Sequence, residues 1–420
     1  MKKLNVIVLG AGQRGQTYTD VMATLPEQFR VVGVAEPVQA NREYIRQKHG
    51  IPAENCVSSW EQLLDRPCFA DVAIIATQDK MHYEPAMKAL ELGYDLLLEK
   101  PVAPTARECM DIWHQAEKYG RKVMVCHVLR YTSFYSRVKQ LLESGVIGDV
   151  MNIVHTEGVG NLHQSHSFVR GHWGNEEESA PMLLAKSCHD VDLLQWLMDD
   201  ECKSVQSFGS LRYFREENAP AGAPQRCIDG CPHGENCYYN AVKLYLEDKK
   251  NLWFRGAATG LVEPTDEDVL RALENTQYGK CVFRCDNDVV DHQVMNMAFA
   301  AGGTVSFTMS AFNKGGRKTN IMGTKGEMFL DFEADEIRIF HFDTRQFELI
   351  HTRTGSVSGH GGGDDGIVRA LYDYFTGAKA AHQVSEIGIS CRNHLLVFAA
   401  EEARQQNTVV DTAAFEQSFC

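Results

Sequence analysis

Gly10-Ala11-Gly12-Gln13-Arg14-Gly15 follows directly on an uninterrupted apolar run, Val6–Leu9, and leads into a helical pattern. Glycines at this spacing permit a tight turn, close approach of backbone to a pyrophosphate, and close packing of helix on strand. The N-terminus of the helix offers free N–H groups and a positive dipole end to phosphates. The motif alone is weak evidence, with a glycine-rich turn that binds nothing as its plain alternative, so its surroundings decide. Further short apolar runs follow at Val31–Val34, Val72–Ala76, Leu96–Leu98 and Val123–Val125. Continuous apolar runs suit parallel strands covered on both faces. Amphipathic stretches separate them, such as His82–Leu92 and Thr105–Tyr119, the second opened by a Thr105…Glu108 capping-box pattern and stopped by Gly120. The alternation predicts a doubly wound α/β domain of Rossmann type over residues 1–126.

Beyond His127 strand-like segments succeed one another without helices between them: Asn152–Thr156, Val205–Ser210, Thr304–Met309, Met328–Phe332 and Glu336–Phe342. This predicts a second, α+β domain over 127–420 with a large, mainly antiparallel open sheet. Helices are expected at about Pro181–Met198 and Glu386–Gln405. A stretch from about 215 to 291, rich in cysteine, glycine and charge, reads as an insertion.

The net charge is −14 over 420 residues, which leaves no electrostatic footprint for nucleic acid and repels anionic lipid. No apolar run approaches the roughly 18 residues of a membrane-spanning helix. The apolar start ends too soon, at Gly10, for a signal peptide, so a cytoplasmic location is expected. Thirteen scattered cysteines then read as core thiols or metal ligands before disulfides.

Glu36 ends the second predicted strand about twenty residues past the last glycine of the motif. A carboxylate there accepts hydrogen bonds from ribose hydroxyls and repels a 2′-phosphate, which favours NAD over NADP. Lys100 stands at the carboxyl end of a parallel strand, where open α/β sheets bind ligands. An ammonium beside a cationic nicotinamide ring has a lowered pKa, useful for exchanging a proton with a substrate hydroxyl; the plain alternative is a solvated lysine.

Ala76-Thr77-Gln78-Asp79-Lys80-Met81-His82 and Leu98-Glu99-Lys100-Pro101, together with the glycine motif, resemble the glucose–fructose oxidoreductase/inositol dehydrogenase/rhizopine catabolism (Gfo/Idh/MocA) family. The resemblance is strong over 1–150 and continues more loosely through Gly323-Thr324-Lys325-Gly326-Glu327 to the final helix. It implies cofactor contacts from Gly10, Gly12, Gln13, Arg14, Gly15, Glu36, Thr77, His82, Glu99, Lys100 and Arg130, and substrate contacts from Arg170, His172, Trp173 and Asp190. It also implies that Lys100 touches both cofactor and substrate hydroxyl, and that the Lys100–Pro101 bond can be cis. The family's Asp-x-x-x-His pattern corresponds to Ala185…His189, so His189 matches and the aspartate does not. Lys186, one residue on and within helical reach of His189 and Asp190, is a candidate for the missing group's work.

Three further features stay open at this level. Cys227, Cys231, Cys237, Cys281 and Cys285 either bind a structural Zn²⁺ (or an iron–sulfur cluster) or are reduced thiols. His163, His166, His172 and Trp173 either line a sugar pocket or form an exposed loop. His360-Gly361-Gly362-Gly363-Asp364-Asp365 reads as a flexible loop able to cover that pocket, and Cys188 as buried packing. The expected function is an NAD-dependent dehydrogenase of a sugar, cyclitol or glycoside, forming a homodimer or homotetramer through the second sheet. The rivals are a redox-assisted glycosidase or lyase, and a non-catalytic NAD-binding sensor or assembly protein.

Overall fold

The computed structural model describes residues 2–353 and 360–419. Six parallel strands form the first sheet: β1 (Leu4–Leu9), β2 (Phe29–Ala35), β3 (Cys56–Val57), β4 (Val72–Ile75), β5 (Asp95–Leu98) and β6 (Val123–Val125), in the order β3-β2-β1-β4-β5-β6. Its apolar strands are buried on both faces, with Val6, Val8 and Ile74 in one core and Ile7, Leu9 and Ile75 in the other. Register places the functional edge. Leu9 pairs with Ile75, Ile75 with Leu98 and Leu98 with Val125, so four strands end level. The glycine loop, the Thr77 segment, Glu99-Lys100 and His127 therefore emerge side by side. The Lys100–Pro101 peptide is cis.

The second sheet has nine strands in the order β14-β13-β12-β11-β7-β10-β9-β8-β15. They are β7 (Val150–Gly158), β8 (Cys202–Ser210), β9 (His292–Phe299), β10 (Thr304–Ser310), β11 (Gly316–Gly323), β12 (Gly326–Asp331), β13 (Glu336–His341), β14 (Phe347–Ile350) and β15 (Val409–Asp411). All neighbours are antiparallel except β7 and β10, which makes the sheet mixed and mainly antiparallel. Strict alternation of buried and exposed residues, clearest in β9, leaves one face on the helices and one open. The helices Cys188–Met198 and Ile387–Gln406 cover the inner face.

β8 and β9 are adjacent, and residues 211–291 stand where a hairpin turn would be. This insertion carries its own small cores, one around Phe214, Tyr239 and Phe283 and another around Tyr245, Phe254 and Leu273.

Two boundaries differ from the sequence reading. The expected helix Pro181–Met198 is two helices, Met182–Ala185 and Cys188–Met198, broken at Lys186-Ser187. The expected loop at 360–365 is instead the start of a helix, Gly363–Phe375, whose Ile367, Val368 and Leu371 share one core with Leu4, Val6 and Val8. The chain thus returns to complete the nucleotide-binding unit, and a cut at 126/127 leaves it without this helix. An amphipathic helix carries no mark of which core it will join, so this packing is not readable in the sequence alone.

Candidate active site

The glycine loop is shaped by close backbone approach. A Cβ on Gly10 (φ +93°) would lie 2.5 Å from the Ala76 carbonyl oxygen, and one on Gly15 would lie 2.1 Å from that of Gly10. Gly12 differs: a Cβ there meets no protein atom within 4 Å, so the backbone faces open space at the N-terminus of the Gln13–Ala23 helix. Glu36 accepts the Ala11 N–H at 2.7 Å and the Val38 N–H at 2.9 Å. A carboxylate offers about four acceptor sites, so both oxygens keep capacity for ribose hydroxyls. Cradle, open glycine and carboxylate together fit an adenine dinucleotide.

Arg14 does not point freely into this space. Its Nε donates to Glu99 Oε1 at 2.7 Å and its second terminal nitrogen to Asp364 Oδ1 at 2.7 Å. Tyr18 Oη donates to the same Glu99 oxygen at 2.6 Å. Burial alone would raise the Glu99 carboxyl, but the Arg14 guanidinium outweighs it and holds the group below the usual carboxylate range. Glu99 remains ionised and accepts the Lys100 N–H at 3.0 Å. His82 is fully buried and bridges the Pro101 and Thr77 carbonyl oxygens at 2.7 and 3.1 Å, positioning the loop rather than facing the cleft. Thr77 Oγ1 donates to the Met81 carbonyl at 3.0 Å.

Lys100 crosses the cleft. Its Nζ donates at 2.7 Å to the carbonyl oxygen of Ala185, at the helix break. Where the family carries an aspartate side chain, this chain therefore presents a backbone oxygen. His189 opens the following helix, with Nδ1 buried and unpartnered. Burial, then the charges of Lys100, His127 and other neighbours, push its pKa well below the ordinary imidazole value, so the ring is neutral. His127 lies edge-on at 5.8 Å between ring centroids, buried, with neither nitrogen hydrogen-bonded, Nε2 3.8 Å from Asp192 Oδ1, and its pKa pushed down to about 4 by burial. Cys188 is buried and its thiol is pushed up to about 12, first by burial, which leaves it a packing residue.

Beside His189 lies a buried charged network. Lys186 Nζ pairs with Glu157 Oε1 at 3.2 Å, and Arg317 Nε lies 3.1 Å from Glu157 Oε2. Burial lowers the Lys186 pKa and raises that of Glu157, moving both toward neutrality. Asp190, implied as a substrate ligand, accepts from Arg317 at 2.7 and 3.2 Å and contacts His155 Nε2 at 3.0 Å. With zero exposure it anchors Arg317 and does not face the cleft. Arg130 is likewise committed, forking onto Asp192 at 2.6 and 2.7 Å.

The histidine-rich segment divides. His163 lies edge-on to Trp253 at 4.9 Å between ring centroids, its pKa pushed down to about 2 by burial and then by the charges of Lys186, His166, Arg317 and Lys100. His172 lies against Trp173 at 3.9 Å between ring centroids, and Trp173 Nε1 donates to Asp79 Oδ2 at 2.9 Å, tying this loop to the nucleotide-binding unit. His166 turns into the insertion instead, stacked on Phe254 at 4.1 Å. Arg170 also departs from its expected role: it is buried and donates to the carbonyls of Lys280 and Tyr239, at 2.8 and 2.7 Å. Among the described residues, no three His, Cys, Asp or Glu side chains stand ready to hold a metal ion. Four of the five singled-out cysteines nonetheless line one cavity, and Cys285 does not.

Sequence reasoning missed Tyr18, Asp79, His127, Glu157, Arg317 and Asp364. Among these only Glu157 had a signal in the pattern: on β7 the buried alternation Ile153, His155, Glu157 puts two polar residues on a core face.

A parallel sheet with an open glycine loop, facing a second domain across a cleft lined by lysine and histidine, defines a dinucleotide-binding oxidoreductase architecture. Comparison with known proteins makes this specific. The chain belongs to the Gfo/Idh/MocA oxidoreductase family: residues 4–127 match its NAD-binding Rossmann fold and residues 139–380 its C-terminal alpha/beta domain. It is 25% identical over 342 residues to the putative oxidoreductase YteT of Bacillus subtilis (strain 168), covering 76% of this chain and 78% of that one. It is 24% identical over 219 residues to an inositol 2-dehydrogenase/D-chiro-inositol 3-dehydrogenase of Lactiplantibacillus plantarum, covering 52% and 59%. With a 2,7-anhydro-N-acetylneuraminate hydratase of Mediterraneibacter gnavus it shares 26% over 209 residues, covering 50% and 53%. The match thus spans little more than half the length of these last two relatives. The fold is shared with levoglucosan dehydrogenase in complex with NADH and levoglucosan (TM-score 0.71, 20% identity, 98% and 100% covered). An oxidoreductase domain protein from Kribbella flavida gives 0.73 at 17% identity, with 98% and 100% covered. No helix among the described residues is long and apolar enough to cross a membrane.

Proposed function

We propose that the protein is an NAD-dependent dehydrogenase of a secondary alcohol in a sugar, cyclitol or glycoside. The observation that carries this reading is the reach of Lys100 from the end of β5 to the Ala185 carbonyl, beside a neutral His189. A substrate hydroxyl entering here would replace that carbonyl as the acceptor for the Lys100 ammonium. The ammonium stabilises the developing alkoxide, and the neutral imidazole of His189 takes the hydroxyl proton. A bound nicotinamide supplies the hydride acceptor. Gly10, Gly12 and Gly15 give the pyrophosphate its cradle, and Glu36 binds the adenosine ribose and disfavours a 2′-phosphate. Glu99, held ionised by Arg14, orients Lys100 through its backbone. His163, His172 and Trp173 offer imidazole and indole surfaces suited to polyol hydroxyls and an apolar sugar face.

A second reading draws on the Lys186–Glu157 pair. Two groups moved toward neutrality beside the first acid–base site could remove a proton from carbon after transient oxidation, giving elimination with the cofactor regenerated. Incubation with NAD and a panel of polyols, sugars and glycosides, followed by absorbance and product mass, separates the two. Net NADH with an oxidised product is expected. Cleavage or dehydration without net NADH would favour the second reading, and NAD binding with no product from any member would overturn both.

A further inference from the structure

The insertion between β8 and β9 holds a cavity that the proposed chemistry does not use. It is lined by Cys227, Cys231, Cys237 and Cys281 together with Arg170. Backbone pairing brings the two cysteine-bearing segments together: the Cys227 N–H donates to the Gly279 carbonyl at 3.0 Å, and the Cys281 N–H to that of Gln225 at 2.9 Å. Cys285 lies outside the lining, its Sγ donating to the Cys281 carbonyl at 3.4 Å.

Arg170 supplies the independent observation. It is 1% exposed, and among the described residues no carboxylate pairs with it. Its Nε and one terminal nitrogen donate to backbone carbonyls, the latter also reaching Cys227 Sγ at 3.7 Å. Its other terminal nitrogen is buried without any partner. A guanidinium is charged at any accessible pH, and burying it without an anion is costly. The anionic groups this cavity can offer are the thiolates themselves, and buried thiolates persist when a metal holds them.

We propose that these four cysteines form a tetrathiolate site for a thiophilic metal centre, with Arg170 as its buried counter-charge and N–H donor to sulfur. Four thiolates hold either a Zn²⁺ ion or an iron–sulfur cluster, and each leaves net negative charge for a guanidinium to balance. As they stand, the thiols line the cavity without converging on a point, so a bound ion would have to draw them inward. The centre would staple residues 225–237 to residues 279–281 and fix the inner end of the Gln164–Arg170 segment.

The full-length protein, purified anaerobically without chelator, is analysed for zinc, iron and sulfide and by visible absorbance. About one zinc per chain without a visible band, or iron and sulfide with a broad band, is the expected result. Cys231→Ser and Cys281→Ser should each lower the metal content about tenfold or more, while Cys285→Ser retains it. Should the serine variants not fold, thiol titration of the unaltered folded chain, before and after metal stripping, should gain about four reactive groups. Protein that contains neither metal and takes up no added Zn²⁺ would overturn the site. Loss of metal from Cys285→Ser as complete as from Cys231→Ser would overturn the ligand set.

Discussion

Lys100 meets a backbone oxygen where the family resemblance implies an acidic side chain, and in the proposed reaction the proton handling falls to His189. Lys100→Met and His189→Ala should each lower turnover by about 10²–10⁴-fold once a substrate is in hand, as general acid–base groups do. NAD affinity, measured by calorimetric titration, should stay within a few-fold; near-normal turnover in His189→Ala would remove it from the chemistry. The glycines separate folding from binding. Gly12→Val projects into open space, so it should fold normally and lose about tenfold or more in NAD affinity, the size of a forfeited hydrogen bond to a charged group. Gly15→Val meets the Gly10 carbonyl and should fail to give soluble, folded protein, an outcome read by circular dichroism and yield. Glu36, Lys100 and His189 were legible in the sequence because strand ends and a helix start fix their placement. Ala185 was not, since a carbonyl oxygen belongs to every residue and only the helix break frees this one. Asp190 and Arg130, expected as ligand contacts, sit in internal ion pairs with Arg317 and Asp192, and no local pattern tells whether a charged group already has its partner inside the chain.

Elements converge where the segment after β6, the Cys188–Met198 helix and the Ile387–Gln406 helix meet, and each contributes a histidine: His127, His189 and His394. His127 and His394 lie 5.6 Å apart between ring centroids. Burial pushes them down to about 4 and about 3 respectively. In the unfolded chain both titrate near 6.5. Their folded values lie below that, so between pH 6.5 and about 4 the unfolded state binds protons that the native state refuses. The stability associated with these rings is complete above pH 6.5 and is lost as pH falls toward the folded values. Thermal melts should show Tm dropping steadily across that window, and His127→Gln should flatten the drop. A profile level from pH 7 to 4.5 would contradict this. Element type followed from apolar runs in the first sheet, whose strands are covered on both faces. In the second sheet four strands escaped notice: β14 and β15 are short, and in β9 and β11 His, Gln, Asn, Lys and Thr interrupt and dilute the apolar signal.

At the scale of the molecule, helices cover one face of the nine-stranded sheet and leave the other open, with Val154, Phe208 and Val294 exposed on it. An open face of this breadth suits self-association, so light scattering should report a dimer or tetramer, and Phe208→Lys with Val294→Lys should shift it toward monomer. The sequence conveyed two units and an insertion within the second. It did not convey that the helix Gly363–Phe375 goes home to the first unit after the second is built. That itinerary has a price in modularity. A gene cut after residue 126 would encode a sheet with one apolar face only partly covered, by the helices that carry Tyr18, Met22 and Ile45, and it should aggregate where the whole chain does not. Calorimetry on the intact protein should accordingly show one endotherm rather than two, because neither half can melt without dismantling the core the other helped to close.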